Sequence, residues 1–185
     1  MGLVNDPIEA VLLTGGASRR MGTDKASLLV HGVPMAERIA RELAKACDPV
    51  TVIGRSSLPG YLFLEDKDEF AGPLAALAAF TPTRPLVFIA SCDLPRFNAQ
   101  LIEELEEALD DADAAIPSVE GRLQPLCALY RAEALTRARA LAEQGEKRVM
   151  RWVDTLRVKT VEPKNEEALR SANTPEELRA LLESP

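Results

Sequence analysis

A segment near the start of the chain, Leu13-Thr14-Gly15-Gly16-Ala17-Ser18-Arg19-Arg20-Met21-Gly22-Thr23-Asp24-Lys25, holds the residue types that bind phosphate. Glycine permits positive φ and close approach of the backbone, and exposed N–H groups together with cations surround phosphate oxygens. Arg19, Arg20 and Lys25 gather here in a chain whose formal net charge is −7, so the segment reads as a triphosphate cradle and not as an ordinary solvated loop. Its spacing is neither the G-x-x-x-x-G-K-[ST] of a P-loop nor the G-x-G-x-x-G of a dinucleotide fingerprint, which sets both of those aside.

A second candidate is Ser91-Cys92-Asp93-Leu94-Pro95, which follows an apolar run over residues 86–90. Asp93 offers the hard oxygen that Mg²⁺ takes, an ion that nucleotide sites hold with one or two carboxylates, phosphate oxygens and water. As a structural residue it would cap the helix beginning near Asn98 or shape the turn before Pro95. The single histidine, His31, precedes Gly32 in an expected turn, and neither a Ser-His-Asp nor a Cys-His arrangement is evident. Chemistry in this chain is therefore expected to rest on positioning and charge compensation, as phosphoryl-type transfer does.

The elements that must carry these loops follow from periodicity. Short apolar runs over 10–13, 50–53, 61–64, 86–90, 114–116, 126–130 and 157–161 read as strands, most of them buried. Between them lie helical patterns: 34–47, entered through Pro34; a helix from Leu74 to Phe80; one marked by Leu101, Ile102, Leu105 and Leu109; and 132–144. A last helix opens at Thr174-Pro175-Glu176-Glu177 with a capping box. Glu103, Glu104, Glu106, Glu107 and Asp110 make the third helix acidic on its outer face, which reads as solvated surface.

This alternation predicts an α/β protein: a three-layer α/β/α domain over residues 1–185 with a mainly parallel sheet. In such open sheets ligands bind outside the carboxyl ends of strands, so the glycine-rich loop and the Asp93 loop should open onto one crevice.

Composition narrows the partners. With 46% hydrophobic and 28% charged residues the chain can bury a packed core. Its negative charge opposes binding to nucleic acid or to an anionic membrane. Cys47, Cys92 and Cys127 form no C-x-x-C pair, arguing against a disulfide framework or zinc clamp, and read as small buried side chains. Asp6 and Glu9 stand where a signal peptide needs a basic start and an apolar run, and no stretch reaches the ~20 apolar residues of a membrane span, so a cytoplasmic protein is expected.

Taken together, these residues resemble the molybdenum cofactor guanylyltransferases, the molybdopterin-guanine dinucleotide biosynthesis protein A family. Leu13 to Lys25 fits that family's L-x-G-G-x-S-x-R-M-G-x-D-K pattern. Further matches are Gly72-Pro73-Leu74-Ala75, Cys92-Asp93-Leu94-Pro95, Gln124-Pro125-Leu126 with Ala128-Leu129-Tyr130, and Asn173-Thr174-Pro175. The double glycine and Gly72-Pro73-Leu74-Ala75 point to the guanylyl branch, whereas the first motif alone also serves cytidylyltransferases. Thr14 departs from the alanine usual in the family.

The resemblance implies a Rossmann-like nucleotidyltransferase fold in which Leu13, Thr14, Gly15 and Gly16 approach GTP with backbone groups. Lys25 then meets the phosphates, Arg19 or Arg20 reaches the β and γ oxygens, and Asp93 binds Mg²⁺. Lys25, Asp93 and Arg19 are the implied catalytic set. Asp66 matches a nucleotide-binding aspartate and suits the donors of guanine or a ribose hydroxyl. Gln124 and Asn173 fall toward the acceptor, with Lys147, Arg148 and Arg151 as further cations there. The implied reaction passes GMP from GTP to the terminal phosphate of molybdopterin, with or without molybdenum, and releases pyrophosphate. Partner proteins would be a molybdoenzyme or other cofactor-biosynthesis proteins. The alternatives are another nucleotidyltransferase on the same scaffold, such as a molybdopterin cytidylyltransferase or an enzyme acting on a sugar or lactyl phosphate, and a non-catalytic adaptor that binds nucleotide and molybdopterin.

Overall fold

The computed structural model describes residues 6–15, 25–68 and 71–183. At its centre β1 (Ile8–Leu13) is buried along its whole length, as a strand covered on both faces must be. β4 (Val50–Gly54) and β6 (Leu86–Ser91) flank it in parallel, with Ala10 opposite Val50 and Leu13 opposite Ser91. β5 (Leu62–Glu65) adds to β4 in parallel at one edge. On the other side β9 (Cys127–Arg131) runs antiparallel to both β6 and β7 (Ala114–Val119), and β10 (Val158–Val161) closes the sheet parallel to β7. The order is β10-β7-β9-β6-β1-β4-β5, with β8 (Arg122–Leu123) paired to β7 as a hairpin. A separate hairpin joins β2 (Leu29–Val30) to β3 (Val33–Pro34) through His31 and Gly32, whose φ of 50° and 82° suit a two-residue primed turn.

Successive strand residues alternate between two cores, the period-two signature of a pleated strand. Leu12, Phe88 and Leu129 face α1 (Met35–Leu43), α3 (Gln100–Leu109) and α6 (Pro175–Glu183) through Ile39, Leu43, Ile102, Leu105 and Leu178. Val11, Ile89 and Tyr130 face α2 (Pro73–Ala79), α4 (Ala132–Glu143) and α5 (Val149–Val153) through Leu74, Leu77, Leu135 and Trp152. Tyr130 and Trp152 stack with ring centroids 4.6 Å apart, and the indole N–H donates to the Ala134 carbonyl at 2.8 Å. The result is the expected three-layer α/β/α fold with a mainly parallel sheet.

Several elements differ from expectation. α1 stops at Leu43 and not at residue 47, and residues 44–46 form a turn. α5 and the β2–β3 and β7–β8 hairpins carry too few residues to show a period. The acidic side of α3 stays at the surface, as expected, with Glu103, Glu107 and Asp110 exposed; together with Glu106, Asp6, Arg131 and Lys159 they line an open groove of about 810 Å³. Cys47, Cys92 and Cys127 are buried and none is in a disulfide among the described residues, as expected. Among the described residues no helix is long and apolar enough to cross a membrane.

A buried charge anchors the amino end of the sheet. Glu9 is 1% exposed, and its carboxylate accepts the Thr83 N–H at 2.5 Å, the Thr83 hydroxyl at 3.1 Å and the Arg84 N–H at 2.8 Å. At the opposite end the strand order reverses. From β1 the chain passes by α1 to β4 and β5, then returns by α2 to β6 on the other side of β1. That reversal opens a crevice at the carboxyl ends of β1 and β6.

Candidate active site

The chain leaves β1 into the glycine-rich loop at this crevice. Thr14 donates its N–H to the Ile53 carbonyl at 2.9 Å and its hydroxyl to the same oxygen at 3.2 Å, continuing the pairing with β4 beyond the strand. A Cβ on Gly15 would lie 3.0 Å from Asp66 Oδ2, which puts the Asp66 carboxylate beside the backbone of the loop. Asp66 is held by its own N–H on the Gly54 carbonyl at 2.8 Å and by the Asp68 N–H on its Oδ1 at 3.3 Å. Leu13, Thr14, Gly15 and Asp66 are thus brought together. Gly16, Arg19 and Arg20 lie outside the described residues, and of Lys25 the backbone alone is described, opening a short 3-10 turn over Lys25–Ser27.

The Asp93 loop sits next to this segment. The Cys92 N–H donates to the Leu13 carbonyl at 3.1 Å, so the β1–β6 ladder extends one residue past Ser91. The Ser91 hydroxyl donates to Asp93 Oδ1 at 2.7 Å. Asp93 does not cap α3, which is preceded instead by Asn98, whose Oδ1 accepts the Gln100 N–H at 3.1 Å. Among the described residues no cluster of three or more His, Cys, Asp or Glu could enclose a metal. A single carboxylate fits an ion that draws its remaining ligands from substrate phosphates and water, and Mg²⁺ binds in that manner.

Two further segments reach the same edge. β9 runs antiparallel to β6 with Cys127 opposite Ala90, so the chain enters β9 beside the end of β6 and brings Gln124 there. Gln124 is fixed by its N–H on the Pro117 carbonyl at 2.9 Å and by its carbonyl accepting the Cys127 N–H at 3.0 Å. The C-terminal segment arrives through the Ala172 N–H, which donates to the Asp93 carbonyl at 2.8 Å and sets Asn173 next to the Asp93 loop. Arg96 secures this docking, donating to Glu167 Oε2 at 2.9 Å and to the Leu181 carbonyl at 2.5 Å. The capping box at Thr174 forms in altered shape. Thr174 Oγ1 accepts the Glu177 N–H at 3.0 Å, while the Glu177 carboxylate accepts the N–H of Asn173, at 2.6 Å, and not that of Thr174.

Lys147 and Arg148 border the start of α2. Gly72, at φ 84°, precedes that helix, and a Cβ there would stand 3.7 Å from the Lys147 carbonyl oxygen. Glu146 accepts the Arg148 guanidinium on both carboxylate oxygens at 3.0 Å each, together with the N–H groups of Lys147 and Arg148. Hydrogen bonding to Arg148 pulls the Glu146 carboxyl down to about 2. Arg151 is exposed on α5.

Sequence reasoning did not single out Ser91, Arg96 or Ala172 for the site. For Ser91 a signal existed, since an S-x-D spacing at a strand end suits a side-chain hydrogen bond. For Arg96 and Ala172 no local signal existed, because their partners are distant in the chain.

Comparison with known proteins bears on the family and the fold. Residues 10–160 match the model of the MobA-like NTP transferase domain. A protein of Burkholderia vietnamiensis named molybdenum cofactor guanylyltransferase is 32% identical, covering 96% of this chain and 97% of its own length. A probable molybdenum cofactor guanylyltransferase of Nostoc is 29% identical over 94% of this chain and 90% of its own. Among solved structures, molybdopterin-guanine dinucleotide biosynthesis protein A from Archaeoglobus fulgidus superposes with a TM-score of 0.79 at 21% identity, over 95% of this chain and 97% of that one. The 2-C-methyl-D-erythritol 4-phosphate cytidylyltransferase of Thermus thermophilus shares the fold at a TM-score of 0.69 and 20% identity, over 93% of this chain and 96% of that one. With the family model spanning most of the chain and full-length relatives above 30% identity, the chain belongs to the MobA-like NTP transferase family.

Proposed function

We propose that this chain transfers GMP from GTP to the terminal phosphate of molybdopterin, releasing pyrophosphate and forming the molybdopterin guanine dinucleotide form of the cofactor. The observation that carries the reading is the meeting, at the strand-order reversal, of the Leu13–Gly15 backbone, Asp66 and Asp93. It is supported by the names of full-length relatives, which are molybdenum cofactor guanylyltransferases.

In this mechanism an oxygen of the molybdopterin phosphate attacks the α-phosphorus of GTP, and the bond from that phosphorus to the α–β bridging oxygen breaks. A phosphate monoester has its second pKa near ~6, so the attacking group is already anionic at neutral pH and needs no general base. Leu13, Thr14, Gly15 and Gly16 bind the nucleotide along the loop, and Asp66 accepts hydrogen bonds from guanine or the ribose. Lys25, with Arg19 or Arg20, offsets charge on the phosphates. Asp93 would hold Mg²⁺, which supplies charge neutralisation at the α-phosphate and the leaving pyrophosphate when bound. Gln124 and Asn173 border the acceptor, and Lys147 at the start of α2 adds positive charge for its phosphate, the Arg148 guanidinium being paired with Glu146.

The test is thermal unfolding with Mg²⁺ and each of GTP, CTP, ATP and UTP, followed by pyrophosphate release with molybdopterin. A ligand at ~100 times its dissociation constant adds roughly 2.7 kcal/mol of apparent stability. A shift confined to GTP with pyrophosphate release supports the proposal. A shift confined to CTP makes the chain a cytidylyltransferase, and GTP binding without pyrophosphate release makes it an adaptor. Asp93→Ala should abolish turnover in a folded protein.

A further inference from the structure

We infer that Ser91 is a positioning residue for the Asp93 carboxylate, setting how strongly this site takes its divalent cation; the inference rests on the metal role proposed for Asp93. A carboxylate on a short side chain rotates about its last bond, and a metal that binds one of its oxygens must restrict that rotation. Here the restriction exists beforehand. The Ser91 hydroxyl donates to Oδ1 at 2.7 Å, and among the described residues Oδ2 has no hydrogen-bond partner. One oxygen is therefore anchored and the other is left for an ion.

The anchor is rigid because Ser91 is the last residue of β6, in register with Leu13 on β1, and the next N–H, that of Cys92, still bonds to the Leu13 carbonyl at 3.1 Å. The carbonyl of Asp93 accepts the Ala172 N–H at 2.8 Å, so the aspartate backbone is held from a second side. Ser91 thus ties the orientation of the carboxylate to the strand that delivers the phosphate-binding loop. Hydrogen-bond partners of metal-binding carboxylates typically change metal affinity by about 10–100-fold when removed.

The experiment is a Mg²⁺ titration, at fixed GTP, of the thermal shift that GTP produces, carried out on wild type, Ser91→Ala, Ser91→Thr and Asp93→Ala. Ser91→Ala should need about ten-fold more Mg²⁺ for half its effect. Its ligand-free melting temperature and its GTP shift at saturating Mg²⁺ should match wild type, and Ser91→Thr, which keeps the hydroxyl, should follow wild type. Superimposable curves for wild type and Ser91→Ala, with the Asp93→Ala curve displaced, would overturn the role of Ser91 alone. Identical curves for wild type and Asp93→Ala would overturn the metal role of Asp93 and the Ser91 inference with it.

Discussion

Gly15 and Asp66 are packed so closely that a methyl group on the glycine would stand 3.0 Å from Asp66 Oδ2. That contact is tight but involves the end of a side chain, so Gly15→Ala should move the carboxylate by tenths of an ångström and leave the strands in place. Gly15 is exposed, and stability should change by no more than about 0.5 kcal/mol. Nucleotide affinity should fall about ten-fold, because Asp66 and the loop backbone are proposed to contact the same ligand. Calorimetric titration with GTP beside a urea melt checks both parts, and an unchanged dissociation constant would remove this pair from the nucleotide site.

Arg96 connects the Asp93 loop to the C-terminal segment. Its guanidinium is 22% exposed and bonds to Glu167 and to the carbonyl of Leu181. A hydrogen bond from a charged donor contributes ~1.5–3 kcal/mol, and the half-exposed Glu167 adds little, so Arg96→Ala should cost about 2 kcal/mol. The loss should appear as a lower denaturation midpoint. Because the same segment brings Asn173 to the crevice, the acceptor KM should rise more than the GTP KM. Equal changes in both would mean that Arg96 serves the fold alone.

Much of this organisation was legible from local pattern. Residues 8–13, 50–54 and 86–90 are buried on both faces, and runs of apolar residues announced those strands. The glycine-rich loop, Asp66 and Asp93 stood out by residue type, and the parallel-sheet rule carried two of the loops to one crevice. What stayed hidden depends on closure of the chain. Arg96 meets Glu167 across 71 positions, and no window of sequence contains both. The two-residue strands β2, β3 and β8 are fixed by turns with positive φ at His31, Gly32, Glu120 and Gly121. The groove beside the exposed acidic side of α3 was not legible, because Asp6, Arg131 and Lys159, which help to wall it, come from elsewhere in the chain.

That groove gives a pH dependence of definite sign. Burial, and then the charges of Asp6, Glu103 and Glu107, raise the Glu106 carboxyl above its ordinary value. A carboxyl whose folded value lies above its unfolded value contributes stability below the unfolded value, near ~4.3, and loses it as pH rises through the folded one. At pH 7 ionised Glu106 is therefore unfavourable. Glu106→Gln should raise stability at pH 7 by about 0.2–0.5 kcal/mol, the scale of one like-charge pair on a helix, and make no difference at pH 3. Added salt should shrink the gain. Matched urea melts at the two pH values measure it, and a variant less stable than wild type at pH 7 would contradict the assignment.

Thr14 and Gly54 share one space at the mouth of the crevice. The Thr14 hydroxyl occupies the position that a Cβ on Gly54 would need, and the Gly15 nitrogen would stand 3.3 Å from that Cβ. Threonine at position 14 therefore requires glycine at position 54. Gly54→Ala should cost about 1–3 kcal/mol, as overpacking does. Thr14→Ala alone should cost about 1 kcal/mol, through the hydrogen bond from its hydroxyl to the Ile53 carbonyl. In the double variant the clash with the hydroxyl is gone, and the Cβ of residue 14 and the Gly15 nitrogen remain 3.3 Å away, so the two costs should fall short of adding by about 1 kcal/mol or more, the range seen for residues in contact. A full double-mutant cycle by chemical denaturation reads that coupling. Strict additivity would show that the Gly15 backbone and the Cβ of residue 14, and not the Thr14 hydroxyl, exclude a side chain at position 54.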